Sequence, residues 1–147
     1  MRFDHERMDI YPVIREFNRE VASILRDVPP GNWESKDNLE RATKSIGRNF
    51  AEGAGKWLLA EKIHHYQISR GSSTEAAASL DELADFGLVQ PERVIKANEL
   101  AYRITAMLSG MIRTLHSLPQ RDNAGSGAFG ARARASARAR QVPEPDP

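Results

Sequence analysis

The chain has 147 residues, with 21 Lys and Arg against 20 Asp and Glu, and it contains no cysteine. That length supports one domain with a core of its own, and the missing cysteine excludes a disulfide framework, a thiolate metal site and a thiol nucleophile. The opening MRFDHERMD mixes both charges without an apolar run, and nowhere do about 18 apolar residues follow one another. The sequence therefore predicts neither a secretory signal nor a membrane-spanning helix, and a reducing cytoplasm suits its composition.

Charge is unevenly placed. Residues 1–118 carry 16 basic and 17 acidic side chains, whereas 119–147 carry 5 basic and 3 acidic. The second stretch runs through NAGSGAFG, ARARASARAR and VPEPDP, with Phe129 as its one aromatic residue. So little apolar surface cannot offset ordering costs of about 1–2 kcal/mol per residue, so 119–147 is expected to be a disordered tail behind a 1–118 domain.

Within 1–118 the apolar pattern predicts four helices. Ile10, Ile14, Phe17, Val21, Ile24 and Val28 recur at steps of four and three, which aligns them on one helical stripe. Pro12 fits the first turn, and Pro29-Pro30-Gly31 ends the helix. In the second segment Leu39, Ala42, Ile46 and Phe50 form the apolar face, with Asp37 and Glu40 as the expected capping pair and Gly53-Ala54-Gly55 as the stop. The third helix is predicted over about 58–86, with Leu59, Ile63, Tyr66, Arg70, Ser73, Ala77, Leu80 and Ala84 on its seam and Gly87 as cap. Pro91 opens the fourth, whose stripe is Val94, Ala97, Ala101, Ile104, Leu108, Met111, Leu115 and Leu118, and Pro119 closes it. No segment alternates like a strand. Four helices with short connections predict an all-α, up-down-up-down antiparallel bundle.

Gly47, Gly71 and Gly110 fall inside helices at about 1 kcal/mol each relative to alanine, which suggests close helix approach. Arg70 on the predicted seam calls for an acidic partner, with Glu52 preferred over Glu75.

Catalytic and metal motifs do not assemble. Glu61-Lys62-Ile63-His64 has the spacing of half a di-iron site, but it has no second copy, and Ile63 on the seam turns His64 outward. His5, His65 and His116 give no ligand spacing, so all four histidines are expected to be solvated, with no metal and no cofactor. Gly53-Ala54-Gly55-Lys56 lacks the first glycine and the strand of a phosphate loop. The strongest binding signal is cationic. Arg41, Lys44 and Arg48 share one helical face and Lys56 lies just beyond, suited to successive phosphates. The competing expectation is a solvated face with Glu40–Lys44 and Arg48–Glu52 pairs.

The run Ser45-Ile46-Gly47-Arg48-Asn49-Phe50-Ala51-Glu52-Gly53-Ala54-Gly55-Lys56 resembles the "SI..NIAEG.GR" signature of the 23S rRNA intervening-sequence proteins. That family is related to the accessory variability determinant of diversity-generating retroelements. Tyr66-Gln67-Ile68-Ser69-Arg70-Gly71-Ser72-Ser73-Thr74-Glu75 resembles the family's "L.IARGS..E", and Leu83-Ala84-Asp85-Phe86-Gly87-Leu88-Val89 its "A..LGYI". Phe50 stands where the family has Ile, and Lys56 where it has Arg. The resemblance implies a non-enzymatic four-helix bundle that assembles as a homopentamer. Its retroelement relatives associate with nucleic acid and a reverse transcriptase. It also marks Asn49, Glu52, Gly53, Arg70, Gly71 and Glu75 as signature positions, read here as holding helices two and three together.

The expected function is an oligomeric scaffold that contacts RNA or DNA phosphates through Arg41, Lys44, Arg48 and Lys56. The tail residues Arg132, Arg134, Arg138 and Arg140 would supplement charge that the near-neutral domain lacks. The alternative is a protein–protein adaptor that does not touch nucleic acid.

Overall fold

The computed structural model describes residues 1–119, and the chain folds there as four α-helices with two 3-10 turns. The helices are α1 (Ile10–Asp27), α2 (Trp33–Gly55), α3 (Leu59–Asp85) and α4 (Ile95–Ser117); the turns span Asp4–Arg7 and Pro91–Val94. The tail beyond Pro119, with its predicted disorder and its arginines, lies outside the described residues.

Each helix packs on its sequence neighbours and α1 closes against α4. The pairings run antiparallel: Tyr11 stacks against Phe50 while Ile14 lies beside Gly47; Ser45 meets Ser72 while Asn49 meets His65. Likewise Ser73 meets Thr105 while Asp81 meets Asn98. The architecture is an up-down-up-down antiparallel four-helix bundle.

The α1 stripe is buried as its spacing dictates, from Ile10 through Phe17 and Ile24 to Val28. Burying each such side chain contributes about 1.5–3 kcal/mol, which makes this stripe the principal attachment of α1. Leu39, Ala42, Ile46 and Phe50 likewise turn inward from α2. The helix starts four residues before Asp37, however. Gly31, at φ +90°, reverses the chain after two prolines, and the Asn32 carbonyl already accepts the Lys36 N–H at 3.1 Å. Asp37 is therefore an exposed interior residue, and Glu40 pairs with Lys44 instead of capping. Similarly, Pro91 opens a 3-10 turn, and α4 begins only at Ile95.

On α3 the seam departs from the expected phase at three positions. Ser69 is fully buried and Arg70 is exposed; further along, Ala76 and Leu83 turn inward where Ala77 and Ala84 were expected. A three-residue step from Tyr66 brings in a hydroxyl that finds a partner, whereas a four-residue step would bury a guanidinium. Arg70 accordingly makes no pair with Glu52. Its Nε donates to Ser109 Oγ at 2.6 Å and ties α3 to α4. Gly87, at φ +69°, ends α3, and the Leu88 N–H returns to the Leu83 carbonyl at 2.9 Å in a Schellman-type closure.

Candidate functional site

The α2–α3 contact is the most extensive in the bundle and carries most of the signature residues. Its middle is polar. Ser45 and Ser72 share a hydrogen bond at 2.7 Å, and Ser69 Oγ donates to the Ile46 carbonyl at 2.8 Å. Asn49 Nδ2 donates to the carbonyl and hydroxyl of Ser45, which leaves its Oδ1 to accept from His65 Nδ1 at 3.2 Å. His65 Nε2 then faces Glu52 Oε1 at 3.5 Å. At Gly53 a Cβ would come within 2.8 Å of the Tyr66 ring and 3.0 Å of the His65 Cβ, so only glycine lets the helices approach this closely. Lys62 closes the end of α2 by donating to the Gly53 and Ala54 carbonyls, both at 3.0 Å. Burial there lowers the Lys62 ammonium below its ordinary value, because desolvation disfavours the charged form.

Asn49, Glu52 and Gly53 thus sit together on this seam, and Glu75 joins it by facing Arg41 at 3.6 Å. Arg70 lies on the α4 side. Gly71 is exposed with open space around the position of a Cβ, so no helix contact requires it.

The cations of α2 lie along its outward side, and most have partners. Arg41 also reaches Asn38 Oδ1 at 3.3 Å, Lys44 pairs with Glu40 at 2.6 Å, and half-buried Lys56 pairs with Glu52 at 3.5 Å. The Lys44 ammonium holds the Glu40 carboxyl below its usual range. Arg48 is exposed and forms no ion pair among the described residues; the expected Arg48–Glu52 pair is absent because Glu52 turns to Lys56 and His65. Exposed pairs of this kind contribute about 0–1 kcal/mol each, so a phosphate can replace the carboxylates at little cost.

Residues 6–110 match the profile of the 23S rRNA-intervening sequence proteins. The chain belongs to that family. Its fold is similar to the crystal structure of a protein of unknown function from the S23 ribosomal protein family of Bacteroides thetaiotaomicron. The TM-score is 0.65 at 19% identity, covering 70% of this chain and 97% of the other. Comparison with curated proteins returns no match.

This intervening-sequence protein also carries features that its sequence did not disclose. His65 is not a solvated histidine, since both ring nitrogens face α2 and its side chain is only 17% exposed. His5 stacks near Phe3 and meets Tyr11 edge-on at 4.8 Å, whereas His64 and His116 are exposed. Among the described residues no three carboxylate or imidazole groups converge as metal ligands, and none of the helices is long and apolar enough to cross a membrane. Arg93 clamps α1: it donates to Asp27 at 2.6 Å, Glu20 at 2.8 Å and Ser23 at 2.6 Å, and the Asp27 and Glu20 carboxylates hold its guanidinium even more firmly charged. The acceptors sit at i, i+3 and i+7 on one face of α1, a spacing that could have signalled a shared partner. An open groove of about 620 Å³ lies between Met8, Tyr66, Met111 and Leu115, with Lys62 and Asp4 at its edge. Burial raises the Tyr66 phenol there.

Proposed function

We propose that this member of the 23S rRNA-intervening sequence family is a non-catalytic, cytoplasmic scaffold that assembles with copies of itself and binds RNA or DNA phosphates. The phosphate contacts are Arg41, Lys44, Arg48 and Lys56, supplemented by Arg132, Arg134, Arg138 and Arg140. In a homopentamer five such sets act together, and tethering raises avidity without new contacts. The observation that carries this reading is the outward row on α2, where Arg48 has no carboxylate partner among the described residues and Arg41 and Lys44 are held by exposed pairs. The family name supports it as well. The non-catalytic reading rests on how the hydroxyls are used: Ser45, Ser69, Ser72 and Ser73 all form bonds between helices, and among the described residues none of them bonds to a histidine or a carboxylate. A reverse transcriptase or another ribonucleoprotein component is the proposed protein partner.

Fluorescence anisotropy with structured RNA and duplex DNA across about 50–300 mM salt tests the reading, because phosphate binding weakens steeply with ionic strength. Salt-sensitive binding is expected, and no binding at the lowest salt overturns it. Light scattering is expected to show an assembly; a monomer at micromolar concentration overturns the oligomer.

A second reading, a protein–protein adaptor, is favoured by large apolar side chains left in solvent. Trp57 is 98% exposed, Phe86 78% and Tyr102 78%. Binding through such residues would be insensitive to salt.

A further inference from the structure

The outward side of α1 differs in kind from that of α2. Arg15, Arg19 and Arg26 are exposed and recur at steps of four and seven, so they lie along one line of the helix. The carboxylates on α1 are drawn to a different side: Glu20 and Asp27 bond to Arg93, while Glu16 and Glu20 face Lys96. None of the three arginines forms an ion pair among the described residues. The three acids of α1, Glu16, Glu20 and Asp27, are thus all engaged by Arg93 and Lys96 and leave this line without a carboxylate from its own helix.

The N-terminal segment makes the upper end of the line concave. Arg2 joins Arg15 and Arg19 around a cleft of about 370 Å³, walled by Tyr11, Pro12 and Glu6. The Arg15 guanidinium lies 6.0 Å from the centre of the Tyr11 ring, a cation–π distance that restrains its side chain before any ligand arrives. Glu6 is the one acid in the wall, and its Oε2 already accepts the Phe3 backbone N–H at 2.7 Å. Three guanidiniums against one occupied carboxylate give the cleft a net positive field.

We propose that this cleft and the arginine line running from it to Arg26 form a second phosphate track, which holds the phosphodiester backbone of a nucleic-acid strand. The proposal rests on the nucleic-acid reading above and assigns it a separate surface. All four cations are arginines, whose planar forks match phosphate oxygens in pairs. Backbone contacts of this kind carry no base selectivity, so RNA and DNA of one length are expected to bind alike.

The test uses the full chain, labelled single-stranded RNA and DNA, and two triple variants, R15Q/R19Q/R26Q and R41Q/K44Q/R48Q. Every substituted residue is exposed, so thermal unfolding is expected to stay close to that of the parent. The α1 variant is expected to bind about tenfold or more weakly at low salt. Its slope of log affinity on log salt should flatten by about 2, from three lost contacts at about 0.7 each. If the parent binds and the α1 variant binds equally well while the α2 variant weakens, the track is overturned and the functional reading stands. If the parent does not bind, both fall. Competition by polyglutamate as strong as that of RNA at equal charge also overturns the track, and assigns the face to an acidic protein segment.

Discussion

Where α2 meets α3, the middle of the contact is made by serines, an asparagine, a histidine and a glycine, beside Phe50 stacked on Tyr66, whereas α1 attaches through a stripe of isoleucine, valine and phenylalanine fastened at one end by Arg93. The first seam brings backbones close and satisfies its polar groups across the gap. The second removes apolar area from water, and its polar ties are the Arg93 guanidinium with Lys96 beside it. Close approach leaves no room for added atoms, while an apolar stripe suffers most when atoms are removed. The two seams should therefore fail under opposite substitutions.

The largest effect is expected from Phe17→Ala, which empties a fully buried site on α1 and should cost about 3–5 kcal/mol in urea unfolding. A loss below about 1 kcal/mol would mean that the apolar stripe is not what holds α1. Gly53→Ala makes the opposite test. Its added methyl meets the Tyr66 ring and should cost about 1–3 kcal/mol despite alanine's better helix propensity. An unchanged midpoint would show that the rings shift freely. Arg93→Ala leaves Glu20, only 17% exposed, without its bonded cation. A loss of about 1–2 kcal/mol is expected, part of it screened by solvent and by Lys96 nearby. Smallest and of opposite sign, Gly71→Ala adds a methyl into open space within a helix and should stabilise by about 0.5–1 kcal/mol. A loss there would reveal an added contact, such as a second copy seated on α3.

How much of this was legible in the sequence depended on the seam. The apolar stripes of α1 and α2 were readable residue by residue, because hydrophobic spacing reports burial directly. The start of α2 was not: Trp33 is 74% exposed and so contributes nothing to a buried periodicity. On α3 Ser73 was placed on the seam correctly, but Ser69, Ser72 and Ser79 read as polar and yet lie buried. Spacing alone then placed Arg70 where Ser69 belongs. The cationic row on α2 was visible as a pattern, but its partners were only half visible. Glu40 stands one turn from Lys44, whereas Glu75 reaches Arg41 from 34 positions away and only through the fold.

The lysine that closes α2 bears on the order in which the bundle assembles. Lys62 bonds to carbonyls only eight and nine positions earlier, and the α2–α3 pair shares the broadest contact. Arg93, by contrast, must find partners 66 to 73 positions away. Closing the longer loop costs more chain entropy, so the α2–α3 hairpin is expected to form early and the Arg93 clamp to close late. Substitutions in the hairpin should slow folding, while loss of the Arg93 clamp should chiefly speed unfolding.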